Sequence, residues 1–523
     1  MRIGFASIYS WRPHVEHIYF LARLAQKAGH EAVFLTCDGD LPNCYTRELR
    51  ARHAGLECAL CRAAGIRSYT SSGVTSIGEL LGRSSRTETP AEWAHSSAST
   101  LGRFESDADY QGGEFAKIVE RLKPVVAISN EAAREWITQN RLEAVCVFNG
   151  RMDATRAILE AARSLGVRVV SVERTWFGDG LQLYPDESCL GLRSVHKLVS
   201  AWKDAPLLRE QALRAAEHVA GRFLRSNHKE WRAYNVNAQT VPWPDKSATR
   251  KILLIPSSRN EVWSHPDWEP KWRDPIEAYD ALIARFNLQP AELVLRCHPN
   301  WGEMIGVADG RRAETHYADW AKSRSIHCIA STDRASTLGL IEQCDAIVVA
   351  NGSAAMEAGF LGKQIIGIAP SIYQCAEMRD EACDAADVSG LELWSSLASE
   401  ERVRRAAIVM RQTLRFLYTM IYRIPQYTSF VRAVATTRYR YDFSADPRRF
   451  IELLHGGELC ADDETAADSA EAESAVLALI RDRRWDQLRP SDHGLAGELR
   501  GLPRRFPYRI VDIVARHKPV GDR

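Results

Sequence analysis

The sequence predicts an α/β protein made of two doubly wound halves with a helical appendage at its C-terminal end. Three observations predict it. The chain opens as strand, helix, strand. Apolar runs then alternate with segments of helical spacing as far as about residue 370. A proline-bearing stretch at 235–246 interrupts the alternation, which restarts at Lys251. Such alternation marks parallel strands joined by crossover helices. The expected divisions are 1–240, 248–440 and a helical and acidic tail at 441–523.

At 523 residues the chain is long enough for two cores and an appendage. A hydrophobic content of 45% and a charged content of 26% are ordinary for a globular protein. The net charge of +1 supplies no global field, so no nucleic-acid partner is expected. The opening MRIGFASIYSW starts directly as a strand without a signal-peptide pattern. No apolar run approaches the ~18 residues of a spanning helix. Twelve dispersed cysteines suit a reducing compartment, so a cytoplasmic location is expected.

In the first half, Arg2–Ile8 reads as a strand, Val15–Ala28 as a helix ended by Gly29, and Glu31–Thr36 as a second strand. This strand–helix–strand opening resembles the N-terminal domain of GT-B glycosyltransferases, whose first loop faces the cleft, and that resemblance makes Arg12 and His14, which follow the first strand, candidate acceptor-side residues. Cys37, Cys44, Cys58 and Cys61 come next, spaced C-x6-C-x13-C-x2-C. Four thiolates in this window are candidate ligands of a structural Zn²⁺; an iron–sulfur cluster and four separate buried thiols are the alternatives. Four sulfur ligands leave no open position, so such a metal would not be catalytic. Residues 66–112, rich in Ser, Thr and Gly, read as a loop-rich insertion with short helices, placed to move over a cleft. Val125–Ser129 reads as a strand, Ala132–Gln139 as a helix, and Ala144–Phe148 and Val167–Val172 as strands around the helix Ala154–Leu165. Asn149, Arg151 and Asp153 follow one strand end, and Glu173 follows another. Parallel strand ends face one edge, where ligands bind. Asn149 and Arg151 are therefore acceptor-side candidates. Glu173 is the first candidate for a general base, with Asp153 and Asp38 as alternatives; an ion pair of Glu173 with Arg151 or Arg174 is the competing reading. Leu207–Trp231 reads as a long helix before the linker.

The second half restarts with the strand Lys251–Ile255, followed by Ser257 and Ser258, which by order resemble the phosphate-binding first loop of a GT-B C-terminal domain and equally suit a capped helix start. Glu292–Cys297 is a strand that runs into His298-Pro299 and places Arg296 and His298 on one face. Residues 345–369 form its centre. Ala346–Ala350 is a strand, Asn351-Gly352-Ser353 a tight turn, Ala354–Leu361 a helix ended by Gly362, and Gln364–Ala369 the next strand. The turn offers backbone N–H groups and a helix end to an anion, with Glu357 one turn deeper than Ser353. Glu401–Tyr418 and Gln426–Ala435 read as helices, one of them crossing back to the first half. Residues 458–476 are acidic and read as a linker or solvated helix. The tail beyond is basic (Arg500, Arg504, Arg505, Arg509, Arg516, Lys518), a candidate for contact with an anionic membrane surface.

The strand ending Arg296-Cys297-His298-Pro299, followed by Asn351-Gly352-Ser353 and Glu357…Gly362-Lys363, resembles the C-terminal half of GT-B glycosyltransferases of the capsular-polysaccharide type, Kdo transferases and polysialyltransferases among them. The resemblance covers roughly residues 250–370. It implies two Rossmann-like domains facing across a cleft and a metal-independent, inverting sugar transfer from a nucleotide-sugar donor (CMP-, UDP- or GDP-linked) to a glycan or lipid-linked acceptor in surface polysaccharide or lipopolysaccharide synthesis. His298, Ser353 and the Gly352 turn would hold the phosphate. Ser257, Ser258, Arg296 and Asn351 would assist, Glu357 would bind the ribose, and no catalytic metal is expected. A GT-B-shaped epimerase, a polyol-phosphate transferase and a non-catalytic assembly factor remain the other readings.

Overall fold

The computed structural model describes residues 1–81, 88–227, 237–461, 463–465, 469–488, 499–506 and 508–510. Expectations for the end of the Leu207–Trp231 helix, for the start of the linker, for parts of 458–476 and for Arg516 and Lys518 fall outside these residues.

Two six-stranded sheets organise the chain. The first comprises β1 (Arg2–Ala6), β2 (Glu31–Thr36), β3 (Val74–Ser76), β4 (Ala144–Phe148), β5 (Arg168–Arg174) and β6 (Leu181–Pro185), in the order β3-β2-β1-β4-β5-β6. All neighbours are parallel except β5 and β6. The second comprises β7 (Ile252–Ile255), β8 (Leu293–Arg296), β11 (His327–Ile329), β12 (Ala346–Val349), β13 (Gln364–Gly367) and β14 (Asp380–Glu381), in the order β11-β8-β7-β12-β13-β14. Between β8 and β11 a small hairpin pairs β9 (Met304–Ile305) with β10 (Ala308–Asp309). In both sheets the first strand is central and the order reverses beside it, which opens a crevice at the strands' carboxyl ends. β4, β7, β8, β12 and β13 are buried along their whole length, as strands covered on both faces must be.

Three expectations change. Val125–Ser129 is not a strand: Gly113–Asn140 is one 28-residue helix with Pro124 inside it. Its buried residues Phe115, Ile118, Val119, Leu122, Val125, Val126 and Ser129 keep helical spacing across the apolar run. Gln426–Ala435 is not a helix: β15 (Val431–Ala435) pairs antiparallel with β16 (Arg438–Tyr441), with Val431 and Ala433 buried on one face. The acidic segment is only partly solvated, because Glu473 is fully buried and bound by both Arg415 Nε and Nη2 at 2.9 Å.

The chain does cross back. Helix Ser399–Tyr418 packs on helix Ala354–Phe360, with Gly359 against Thr413. The chain then reaches the edge of the first sheet, where Leu181 bridges Gln426 and Gly180 N donates to Val431 O at 2.7 Å. Farther on, Arg504 Nη1 donates to Ala63 O and Arg505 N to Ser68 O. No helix among the described residues is long and apolar enough to cross a membrane.

The insertion holds the two halves together. Helices His95–Gly102 and Asp107–Gln111 flank a short turn, and this turn is wedged into the second half. Arg103, in the left-handed region at φ 48°, donates to the carbonyls of Asn300 and Glu303 at 2.8 Å. Glu105 accepts from Arg259 N at 3.0 Å and from the Tyr317 hydroxyl at 2.9 Å. Asp107 pairs with Arg259 at 2.9 Å. These contacts anchor residues 103–107 of the segment that the sequence suggested would move.

Burial raises the Glu105 carboxyl from 4.5 to about 8, against the hydrogen bonds that favour its charged form. Between these two values the folded chain holds a proton that the unfolded chain has released. Glu105 therefore makes stability fall as pH rises through that window and level off above about 8. Glu105→Gln keeps an acceptor but cannot ionise. Its melting temperature is expected to drop less than wild type's between pH 5.5 and 8.5, by about 5 °C, in thermal melts.

Candidate active site

The carboxyl ends of β7, β8 and β12 surround a cavity of about 170 Å³. Ser257 enters it from β7, Arg296 and His298 from β8, and Gly352 and Ser353 from β12. Arg222 and Glu357 form another wall. These residues come from separate strand ends and meet because each loop leaves the same edge of a parallel sheet.

His298 caps the short turn Pro299–Gly302. Its Nδ1 accepts from Asn300 N at 3.2 Å, which leaves Nε2 to carry the proton of a neutral ring and act as a donor. Arg296 is buried and donates to the carbonyls of Ala330 and, at 3.0 Å, Asp333. Its Nε–H has no hydrogen-bond partner among the described residues. Burial lowers its pKa, yet a guanidinium keeps its charge. The Ser353 hydroxyl makes no cap bond to helix Ala354–Phe360 and is exposed. Ser257 Oγ accepts from Asn351 N at 3.4 Å and so ties the β7 loop to the β12 turn. Ser258 is turned away: it is buried and its hydroxyl accepts from Trp301 Nε1 at 2.9 Å, which corrects its expected place on the phosphate. Glu357 is buried and accepts from Arg222 Nη1, which reaches in from helix Arg209–Phe223. Arg222 was not foreseen. It lies 135 residues from Glu357, and no local pattern marks it.

A second group gathers at the ends of β4 and β5. Glu173 is about one-fifth exposed and stands 3.3 Å from His14 Nδ1. Burial raises the Glu173 carboxyl to about 7 and holds His14 well below its ordinary value, hence neutral. Asn149 is buried at φ 43°, where its Oδ1 accepts from Thr155 Oγ1 at 2.9 Å and from Arg151 N at 3.1 Å, and its side chain also hydrogen-bonds the Glu173 carboxyl, so it shapes the turn and orients Glu173. Arg151 donates to Ser96 Oγ at 2.8 Å and, across the cleft, to Glu261 O at 3.2 Å. Arg12 pairs with Glu16 at 3.1 Å. Asp153 is fully buried and accepts from Tyr9 Oη, Tyr45 N and Ala154 N. With no surface to offer an acceptor, it holds the fold and is no base. The Asp-x-Asp sequence Asp38-Gly39-Asp40 follows β2. Asp38 pairs with Arg67, and Asp40 accepts from Gly78 N at 2.6 Å.

The four clustered cysteines come together. Cys37 follows β2, Cys44 precedes helix Tyr45–Arg50, Cys58 and Cys61 lie on helix Ala54–Ala64, and all line one narrow cavity of about 30 Å³. Burial pushes Cys37 up to about 11 and raises Cys44 and Cys61 as well. Arg47 donates to Cys58 Sγ from Nε at 3.2 Å and from Nη2 at 3.0 Å. Among the described residues, no three His, Cys, Asp or Glu side chains stand in a metal-holding arrangement.

No protein-family model and no curated protein matches the chain. Solved structures do align. KpsC of Thermosulfurimonas dismutans, as its β-Kdo 2,7 transferase, aligns over 68% of this chain and 89% of its own at 12% identity and a TM-score of 0.34. Its β-Kdo 2,4 transferase aligns over 60% and 87% at 14% identity and 0.32. The UDP-GlcNAc 2-epimerase of Methanocaldococcus jannaschii, with UDP-GlcNAc and UDP, aligns over 87% and 99% at 11% identity and 0.28. Two doubly wound sheets, facing loops at their carboxyl ends and a return crossing settle the architecture independently of these values. The fold is GT-B.

The Arg222–Glu357 pair is a structural dependency that can be measured. Arg222→Met removes the partner of a buried carboxylate and is expected to cost ~3–5 kcal/mol in urea denaturation, with Arg222→Met/Glu357→Gln recovering much of the loss.

Proposed function

We propose that the chain is an inverting, metal-independent glycosyltransferase that moves a sugar from a nucleotide-sugar donor to a glycan or lipid-linked acceptor in bacterial surface polysaccharide synthesis. The observation that carries this reading is the convergence of His298, Arg296, Ser353 and Ser257 on one cavity at the point where strand order reverses. The donor's phosphate would lie there and its ribose on Glu357. As the bond from the anomeric carbon to the phosphate oxygen breaks, negative charge grows on the leaving phosphate. The His298 Nε2–H, the Arg296 guanidinium and the Ser353 hydroxyl and N–H oppose it at fixed positions. The acceptor hydroxyl attacks the opposite face of the sugar and yields its proton to a general base at the cleft.

A thermal-shift screen of CMP, UDP, GDP, ADP and TDP tests the reading. One nucleotide is expected to stabilise the chain, with the shift lost in His298→Ala and Ser353→Ala. No shift with any nucleotide removes the transferase reading. Recovery of a donor altered at C2, with no sugar transferred, replaces it with an epimerase.

For the cysteine cavity we propose a structural Zn²⁺ on Cys37, Cys44, Cys58 and Cys61, whose binding would have to draw the four sulfurs from their present positions into a tetrahedron. A bound cation would take the protons of these thiols, and the Arg47 N–H groups that reach Cys58 Sγ suit a thiolate sulfur. Metal analysis of the purified chain is expected to find about one zinc per chain, lost with a lower melting temperature in Cys58→Ser/Cys61→Ser. A metal-free wild type would leave four separate thiols.

A further inference from the structure

A second and larger cavity, about 610 Å³, adjoins the first and shares Ser257 with it. Its floor is the carboxyl ends of β12 and β13, including Asn351. One wall is the loop after β7, with Trp263, Trp268 and Trp272. The first half contributes His95, Asp107 and Tyr110, which meet that loop. The volume lies within the range of about 300–1,000 Å³ that encloses small organic ligands.

The aromatic side chains are held rigidly. Tyr110 and Trp263 stack at 3.6 Å and the Arg259 guanidinium lies 4.5 Å from the Trp263 ring centre, so both hold the indole and leave the cavity only its remaining surface. Trp272 Nε1 is tied to Ala382 O at 2.8 Å and Trp268 Nε1 to Leu190 O at 2.6 Å. Polar groups punctuate these surfaces. His265 Nδ1 accepts from Asp267 N at 3.3 Å, which makes Nε2–H a donor, and burial keeps the ring neutral. Ser264, Asn351 and Lys271 line the same space. The lining charges nearly balance: Arg259, Lys271 and Arg273 against Asp107 and Glu269.

Anchored aromatic surfaces with a dispersed polar rim and little net charge complement a pyranose ring, which has apolar C–H faces and a hydroxyl edge. Position fixes which ring. Glu357 and His298 belong to the first cavity, Ser257 joins the two, and Asn351 opens the second. A donor with its ribose on Glu357 and its phosphate on His298 therefore directs its sugar towards the second cavity. We infer that this cavity, walled by both halves, is the acceptor-saccharide subsite, with Trp263 and Trp272 as its stacking surfaces. The inference rests on the transferase reading and moves the acceptor away from Arg12, Asn149 and Arg151.

Saturation-transfer difference NMR on the full chain tests it, with short neutral-hexose, N-acetylhexosamine and acidic-sugar oligosaccharides, each with and without the nucleotide from the thermal screen. At least one oligosaccharide is expected to bind, with saturation strongest on the ring C–H protons. Trp263→Ala and Trp272→Ala should each weaken it by about tenfold. Trp263→Phe, which keeps a ring against Tyr110, should retain most of the affinity and guards against a folding defect. Absence of any saccharide signal, or affinity unchanged in both alanine variants, overturns the subsite. Saccharide binding that survives when no nucleotide binds would instead remove the donor reading and leave the subsite standing.

Discussion

The two halves depend on a carboxyl group that has no water to ionise into. Glu105 stands between the first half, which carries it, and Arg259 and Tyr317 of the second, which donate to it. Its burial is costly for a charge and cheap for a neutral acid, and at neutral pH the acid is the form present. Arg103 and Asp107 extend the same contact on either side. The contact stands beside the second cavity, which Asp107 lines from the first half and Arg259 from the second.

Within that frame, parallel topology does most of the chemical positioning. A loop leaving the carboxyl end of a central strand can reach only its neighbours' loops, so Ser257, His298 and Ser353 meet although long stretches of chain separate them. The side chains are then oriented by small local bonds: an Asn300 N–H on the His298 ring and an Asn351 N–H on the Ser257 hydroxyl.

The strand–turn–helix–strand at 345–369 and the histidine at the end of β8 were legible in the sequence because each is a local pattern of apolar runs and turn residues. Glu357's arginine was not, because pairing over such a separation leaves no spacing to read. Ser258 illustrates the same limit at short range: two adjacent serines look alike, and only the indole of Trp301 decides which faces the cavity. Val125–Ser129 was misread because a fully apolar run fits a buried strand and a buried helix equally, and the flanking Phe115–Leu122 and Ala132–Ile137 decide it. The short strands β3 and β14 carry too few residues for either period to show. Asp153, at a strand end with an apolar helix behind it, has the sequence environment of a base and the surroundings of a buried hydrogen-bond acceptor.

The return crossing has a consequence for how the molecule is made. Asp179, just before β6, accepts from Ala433 N, 254 residues later in the chain. On the ribosome the first sheet therefore emerges with that edge uncovered, and it stays so while the entire second half is synthesised. An open strand edge invites pairing with other chains. The order of synthesis thus runs opposite to the order of closure: the half that appears first is finished last, and the interval between is when the nascent chain most needs protection from its neighbours.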